Sequence, residues 1–181
     1  MKLFFASDLH GSTAATELML VRFEASRAHW LILLGDLLYH GPRNPLPESY
    51  NPAGVAALLN PYASRIIAVR GNCDSEVDQM LLAFSIMNES SQVLLQEKRL
   101  FLTHGHIHGP DNVPALCPGD ILVSGHTHLP KAERVGDIIQ FNPGSTTLPK
   151  GGYPASFGLL SGNQLSVMEL QTEQPIVQIE F

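Results

Sequence analysis

Basic charge is scarce: 11 Lys and Arg stand against 17 Asp and Glu, a formal net charge of −6 over 181 residues. With no Lys/Arg cluster, polymeric nucleic acid is not an expected partner, because such binding rests on neutralising phosphates with basic side chains. Cysteine is nearly absent too. Cys73 and Cys117 fall in no spacing motif, which indicates a reduced compartment and no disulfide framework. No apolar run nears the roughly 20 residues that cross a bilayer, so no membrane association is expected. The start Met1-Lys2-Leu3-Phe4-Phe5-Ala6 is leader-like, but Asp8 and His10 interrupt it too early. A cytoplasmic protein is expected. Repeats, linkers and low-complexity tracts are missing as well, and with 44% hydrophobic residues the length suits one core. Residues 1–181 therefore read as a single domain.

What the chain does have is a set of polar residues in five short segments. They are Asp8-Leu9-His10-Gly11, Gly35-Asp36, Gly71-Asn72-Cys73-Asp74, His104-Gly105-His106 and Gly125-His126-Thr127-His128. Carboxylate, amide oxygen and imidazole are hard or borderline donors, which suit Mn²⁺, Fe or Zn²⁺ better than a soft ion. Each segment follows a short apolar, β-rich run: residues 2–7, 30–34, 65–69, 100–103 and 121–124. Such runs read as strands buried on both faces. In layered α/β sheets ligands gather at the carboxyl ends of strands, where residues distant in sequence can converge. Singly, each side chain is ordinary loop decoration; together they point to a metal-dependent hydrolase.

Ser12 or Thr13 can cap a helix to about Ala28, with Ala15, Leu18, Met19 and Phe23 at helical spacing. Asn51-Pro52 reads as a cap and first helical residue for a helix to about Asn60. Ser75-x-x-Asp78 resembles a capping box for a short helix to about Leu82. The second half reads mostly as strand: residues 92–96 and 99–103 around a Glu97-Lys98 turn, then 131–135 and 138–141 around Gly136-Asp137, a strong hairpin signal. A short helix is expected over residues 110–117, and strands over 155–160, 165–170 and 175–181. Helices between early strands and hairpins later imply an α/β (α+β) fold of two mixed β-sheets face to face, flanked by helices.

The ordered set Asp-x-His, Gly-Asp, Gly-Asn, His and Gly-His-x-His resembles the signature of the calcineurin-like metallophosphoesterase superfamily. Within it, the short chain, the Gly-Asn-Cys-Asp variant and Asn142-Pro143-Gly144-Ser145 resemble the small bacterial YfcE-type phosphodiesterases. The resemblance spans nearly the whole chain and implies a four-layer αββα sandwich. Carried over residue by residue, it implies one metal on Asp8, His10, Asp36 and His128 and a second on Asp36, Asn72, His104 and His126. His10, Asp36 and Asn72 would then also serve catalysis. One carboxylate can bridge cations roughly 3.5–4 Å apart, and water between them is acidified, as on a catalytic zinc where its pKa falls from 15.7 to about 7. Hydroxide then attacks phosphorus in line with the leaving group while the metals neutralise developing charge. The implied activity is hydrolysis of small soluble phosphodiesters. Two divalent ions per chain are expected, Mn²⁺ first, with Zn²⁺, Fe or Ni²⁺ as substitutes.

Cys73 departs from the superfamily's frequent Gly-Asn-His, whose imidazole helps the leaving oxygen. A thiol with an ordinary pKa of about 8.5 is a weaker acid–base group there, and a plain wall residue is the simpler reading. Arg43, in the Pro-rich loop after Asp36, could hold a phosphate oxygen bidentately. Arg43, Cys73 and His106 are thus the candidate substrate contacts, with His40 and His108 as further loop histidines and His29 as structural. Alternate residues of a strand face opposite ways, so His126 and His128 can serve one centre only if the backbone bends between them. A phosphomonoesterase or nucleotidase is the competing enzyme, and a retromer-subunit-like scaffold the competing non-enzyme; an intact ligand set including His10 favours the enzyme. The expected partner is a small phosphodiester, with a homo-oligomer left open.

Overall fold

Alternation along the first strand, β1 (Lys2–Ala6), dictates what must cover it. Leu3 and Phe5 join one hydrophobic cluster, Phe4 and Ala6 another, and all four are fully buried. Successive strand side chains point to opposite faces, so β1 needs a layer on each side. The second strand, β2 (Trp30–Leu33), repeats the pattern: Ile32 joins Leu3, and Leu31 and Leu33 join Phe4.

A computed structural model describes residues 1–95 and 97–181. The remaining strands are β3 (Ile66–Ala68), β4 (Ser90–Leu95), β5 (Lys98–Thr103), β6 (Ile121–Val123), β7 (Lys131–Val135), β8 (Ile138–Asn142), β9 (Ser156–Ser161), β10 (Gln164–Glu169) and β11 (Pro175–Glu180). Six form a sheet in the order β11-β10-β9-β1-β2-β3, and five form a second in the order β4-β5-β6-β8-β7. Both are mixed: β1, β2 and β3 run parallel, as do β5, β6 and β8, while the β1–β9, β9–β10 and β10–β11 pairs of the first sheet and the β4–β5 and β7–β8 pairs of the second are antiparallel. Leu3, Phe5 and Ile32 of the first sheet and Leu100, Leu102, Val123 and Phe141 of the second share one core between the sheets.

Helices α1 (Thr13–Ser26) and α2 (Pro52–Leu59) belong to the other core, on the outer face of the first sheet. There Phe4 stacks on Phe157 at 4.7 Å and takes the edge of Phe23 at 5.7 Å. Ser12 caps α1, Asn51 caps α2 with Pro52 first in the helix, and Ser75 and Asp78 form a full capping box for α3 (Glu76–Gln79). The hairpin at Gly136-Asp137 joins Val135 to Ile138, with Gly136 at φ 58° in the first central position, where a type II′ turn needs positive φ.

Three local expectations differ. Residues 110–117 form no helix: Pro114 lacks the N–H that an interior helical residue donates, Gly109 and Asn112 exchange backbone bonds in an isolated bridge, and Cys117 N is taken by the Asp120 carboxylate. That irregular segment takes the place of a helix beside the second sheet, where His108 meets the edge of Phe101. Helix α3 stops at Gln79, not Leu82, since the Gln79 side chain bonds Leu82 O, Phe84 O and Ile86 N and draws the chain into a loop. Lys98 is paired with Leu95 in the ladder and is not a turn residue as expected, and Gln96 lies outside the described residues.

Candidate metal centre

The five polar segments leave strands at one edge of the two sheets, and their backbone there is unusual. Among the described residues eight non-glycines have positive φ, and five of them are Asp8 (57°), His10 (47°), Asp36 (55°), His126 (65°) and His128 (61°). Left-handed backbone costs a non-glycine about 1–3 kcal/mol and survives only where surroundings impose it. Here neighbouring turns do so: Asp8 N donates to Gly35 O, His10 N to Asp36 O, and Gly125 N to His104 O. The bends at His126 and His128 also remove the strand alternation that would have sent them to opposite faces.

As a result the seven candidate ligands meet. Asp8 Oδ1 is 3.2 Å from His128 Nε2 and 3.7 Å from His10 Nε2. Asp36 Oδ2 lies 3.9 Å from His10 Nε2 on one side and 3.5 Å from His104 Nε2 on the other. His104 Nε2 is 3.1 Å from Asn72 Oδ1 and 3.2 Å from His126 Nδ1. The cluster thus has two halves, with Asp36 between them.

The donor set fits cations. His10, His104 and His128 each present Nδ1 to a backbone carbonyl, of Tyr39 (3.0 Å), Leu34 (2.6 Å) and Leu148 (2.5 Å) respectively. That bond fixes a tautomer with the Nε2 lone pair facing inward, the usual outer support of a metal-bound imidazole. Asp8 Oδ2 accepts from Ser7 Oγ and His126 N, yet its Oδ1 is buried with no hydrogen-bond partner. Carboxylate oxygens and imidazole Nε2 atoms converging in a buried pocket require a positive charge between them, from a proton or a metal ion. Burial would lift the Asp8 carboxyl, but His10 and His128 outweigh it and hold it well below the usual carboxylate range. Burial likewise disfavours charged His104, but Asp36 and Asp8 push it up to about 9. Burial and His104 keep His126 below the ordinary imidazole value.

Asp74 organises the Asp36 turn, a role not visible in sequence. Its buried carboxylate accepts from the backbone N–H groups of Asp36 (2.8 Å), Leu37 (2.9 Å) and Gly71 (2.7 Å). The only sequence signal was a carboxylate in the Gly71–Asp74 turn with no assigned partner. Asn142 Nδ2 holds Gly125 O and Thr127 Oγ1, and Ser145 Oγ holds Asp8 O, so that turn braces the loops around the centre.

Residues 1–164 match the calcineurin-like phosphoesterase superfamily domain. The chain belongs to that superfamily. It is 60% identical over 179 residues to phosphodiesterase YfcE of Escherichia coli K12, covering 99% of this chain and 97% of that protein. The E. coli Yfce phosphoesterase structure matches with a TM-score of 0.98 at 59% identity over 99% of both chains. Vacuolar Protein Sorting 29 from Cryptosporidium parvum shares the fold, with a TM-score of 0.67 at 20% identity over 99% of this chain and 97% of its own. At that identity the likeness is one of fold alone. Calcineurin-like membership implies divalent metal ions, which agrees with the clusters Asp8-His10-His128 and Asp8-Asp36-His104.

Around this calcineurin-like centre the candidate substrate residues separate. A cleft of about 570 Å³ over the cluster is lined by Asp36, Arg43, Asn72, Cys73, His126 and His128 among others, and also by Lys150, which no sequence motif had flagged. His106 lines a neighbouring cavity of about 400 Å³ with Ile107 and Leu129, its ring 5.4 Å from that of His104. Cys73 N donates to Asp36 Oδ1, fixing that carboxylate's rotation, while burial and the Asp36 charge push the thiol up to about 12. His40 packs between Tyr39 and Tyr50, and His29 accepts from Lys2 N, away from the centre.

Proposed function

We propose that the chain is a metal-dependent phosphodiesterase acting on small diesters, with two divalent ions, Mn²⁺ in preference, in a cytoplasmic setting. The observation that carries this is the ligand cluster around Asp36, with the Nε2 atoms of His10 and His104 turned inward and Asp8 Oδ1 unpartnered. The activity of the 60% identical E. coli phosphodiesterase supports the same reading. Asp8, His10, Asp36 and His128 would hold one ion, and Asp36, Asn72, His104 and His126 the other. When bound, such a pair supplies an acidified water as nucleophile and draws charge from the phosphoryl oxygens.

The chain's own residues do the rest. Asp36 is turned by the Cys73 N–H so that Oδ2 faces both halves. Asn72 offers its amide oxygen beside His104, and Arg43 and Lys150 stand at the cleft to orient the phosphate anion. Cys73 keeps its proton through neutral pH, far from the matched pKa that makes an effective proton donor. Diesters with acidic leaving groups, which need little protonation, are therefore the favoured substrates. No helix is long and apolar enough to cross a membrane, and no nucleic-acid polymer or lipid surface is proposed as partner.

The test is chelation followed by Mn²⁺ restoration, reading bound metal and hydrolysis of bis(4-nitrophenyl) phosphate against 4-nitrophenyl phosphate. Two ions per chain and faster diester turnover are expected. Faster monoester turnover would make the protein a monoesterase, and full metal content with no hydrolysis would leave the scaffold role.

A further inference from the structure

The centre opens on one side into a second cavity that none of the candidate ligands explains. It measures about 730 Å³ and is lined by Tyr39, Arg43, Tyr50, Arg70, Asn72 and Val77 among others. Pro42, Arg43, Asn72 and Cys73 line both this cavity and the cleft over the metal cluster, so the two are continuous.

Its two arginines form no ion pair with any carboxylate of the described residues. Elsewhere Arg22, Arg65, Arg99 and Lys131 each face a carboxylate. Among the described residues, Lys2, Arg27, Arg43, Arg70, Lys98, Arg134 and Lys150 pair with no carboxylate, and three of them, Arg43, Arg70 and Lys150, line the connected clefts. Arg70 is tied through Nε to Asp74 O at 3.3 Å, which leaves the outer edge of its guanidinium open. The cavity wall also carries Asp74, turned toward the amides of Asp36, Leu37 and Gly71, and Asp78, turned toward the N–H and hydroxyl of Ser75; neither forms an ion pair with Arg43 or Arg70. Asp111, exposed on the far wall of the central cleft, offsets one of the three cations.

Charge counting then discriminates between substrates. Two divalent ions bring four positive charges; Asp8, Asp36 and a nucleophilic hydroxide cancel three, and a simple diester cancels the fourth. Arg70, which lines only the second cavity, has no role toward a single phosphate at the metal cluster, and Arg43, at the junction of the two clefts, can reach a phosphate in either. An arginine fork is suited to a phosphate's paired oxygens. Beside them, half-exposed Tyr39 meets His40 edge-on at 4.8 Å, and His40 meets Tyr50 at 5.2 Å, giving an aromatic wall for a flat ring.

Resting on the phosphodiesterase reading, we infer that the Arg43–Arg70 cavity binds a second phosphate carried by one arm of the substrate. That arm also carries an aromatic base, which lies against Tyr39. The substrate class is thus a phosphodiester of a nucleoside bearing a further phosphate, not a simple uncharged-arm diester.

The test uses Mn²⁺-loaded full-length protein and two readouts. Calorimetry compares thymidine 3′,5′-bisphosphate with thymidine 5′-monophosphate; turnover compares the 5′-(4-nitrophenyl phosphate) esters of thymidine with and without a 3′-phosphate. The additional phosphate should tighten binding, and raise kcat/KM through KM, by about tenfold or more. Arg70→Ala should bring both ratios toward one. Arg43→Ala, on an exposed loop, should do the same and covers the case in which losing Arg70 disturbs the Asp74 turn. Arg134→Ala, on exposed β7, should leave the ratios as in wild type. Equal binding of the two nucleotides by wild-type protein would overturn the inference even if both esters are hydrolysed. Tighter binding of the bisphosphate with neither ester hydrolysed would keep the cavity assignment and instead remove the phosphodiesterase reading.

Discussion

At one edge of the sheets the chain turns through Asp8, Asp36 and His126 at φ 57°, 55° and 65°. At the other edge β7 reverses into β8 through Gly136 at φ 58°. The dihedral is nearly the same; the surroundings are not. A Cβ on Gly136 would meet nothing within 4 Å, whereas one on Gly71, beside the centre, would overlap both Asp36 Oδ1 and the Asp36 backbone. Glycine serves chain reversal at one edge and close approach at the other. Left-handed backbone at that edge is carried by the candidate metal ligands, and the network of Asp74, Asn142 and Ser145 braces their loops.

The sharpest way to break that contrast is Asp36→Asn. Turnover should fall by more than about 100-fold, beyond the 10–100-fold typical of residues that only orient ligands, and metal content should drop below two ions per chain. Normal turnover with two ions would remove Asp36 from the position between the halves.

Asp74→Ala comes next. It strands three buried N–H groups, each worth about 1–3 kcal/mol when left unpaired. Denaturant midpoints should fall clearly, and metal affinity should weaken by about 10–100-fold. An unchanged affinity would show that the turn holds its shape without Asp74.

A similar loss at the opposite edge should spare the chemistry. Asp120 precedes β6 and accepts from Cys117 N and Arg99. Burial raises its carboxyl, but those bonds outweigh that and hold it below the usual range. A depressed folded value stabilises above the unfolded pKa of about 3.9 and is lost as pH falls through the folded value. The stability gap between wild type and Asp120→Asn should thus be about 1.5–3 kcal/mol near neutrality and close below about pH 4, with turnover unaltered. A gap independent of pH would contradict the charged role.

The smallest effect belongs to Gly136→Ala, which should cost about 1–2 kcal/mol for the left-handed turn and leave activity intact. Gly71→Ala, by contrast, should depress activity by displacing Asp36. Equal behaviour of the two variants would erase the distinction between the edges.

Much of this arrangement was legible in the sequence because it is local. The runs before Asp8, Asp36, Asn72, His104 and His126 are apolar on both faces, and only a covered strand satisfies that pattern. Ser12, Asn51 and Ser75 carry their capping chemistry within three residues. What was not legible depends on distant partners. Asp74 gains its role from the amides of Asp36 and Leu37, nearly forty positions away. Residues 110–117 fail to form a helix where Pro114 interrupts the N–H series and Asp120, at the start of the next strand, takes the Cys117 N–H. Lys150 reaches the cleft through the bracing turn after Asn142, and no spacing motif marks it. The left-handed bends at His126 and His128 likewise follow from what surrounds them.

The central claim is that Asp36 joins two metal sites, and anomalous diffraction from Mn²⁺-loaded crystals tests it most directly. Two peaks are predicted, one beside Asp8, His10 and His128, the other beside Asn72, His104 and His126, with Asp36 Oδ2 ligating both. A single peak, or two peaks with Asp36 bound to neither or to one alone, would contradict the account.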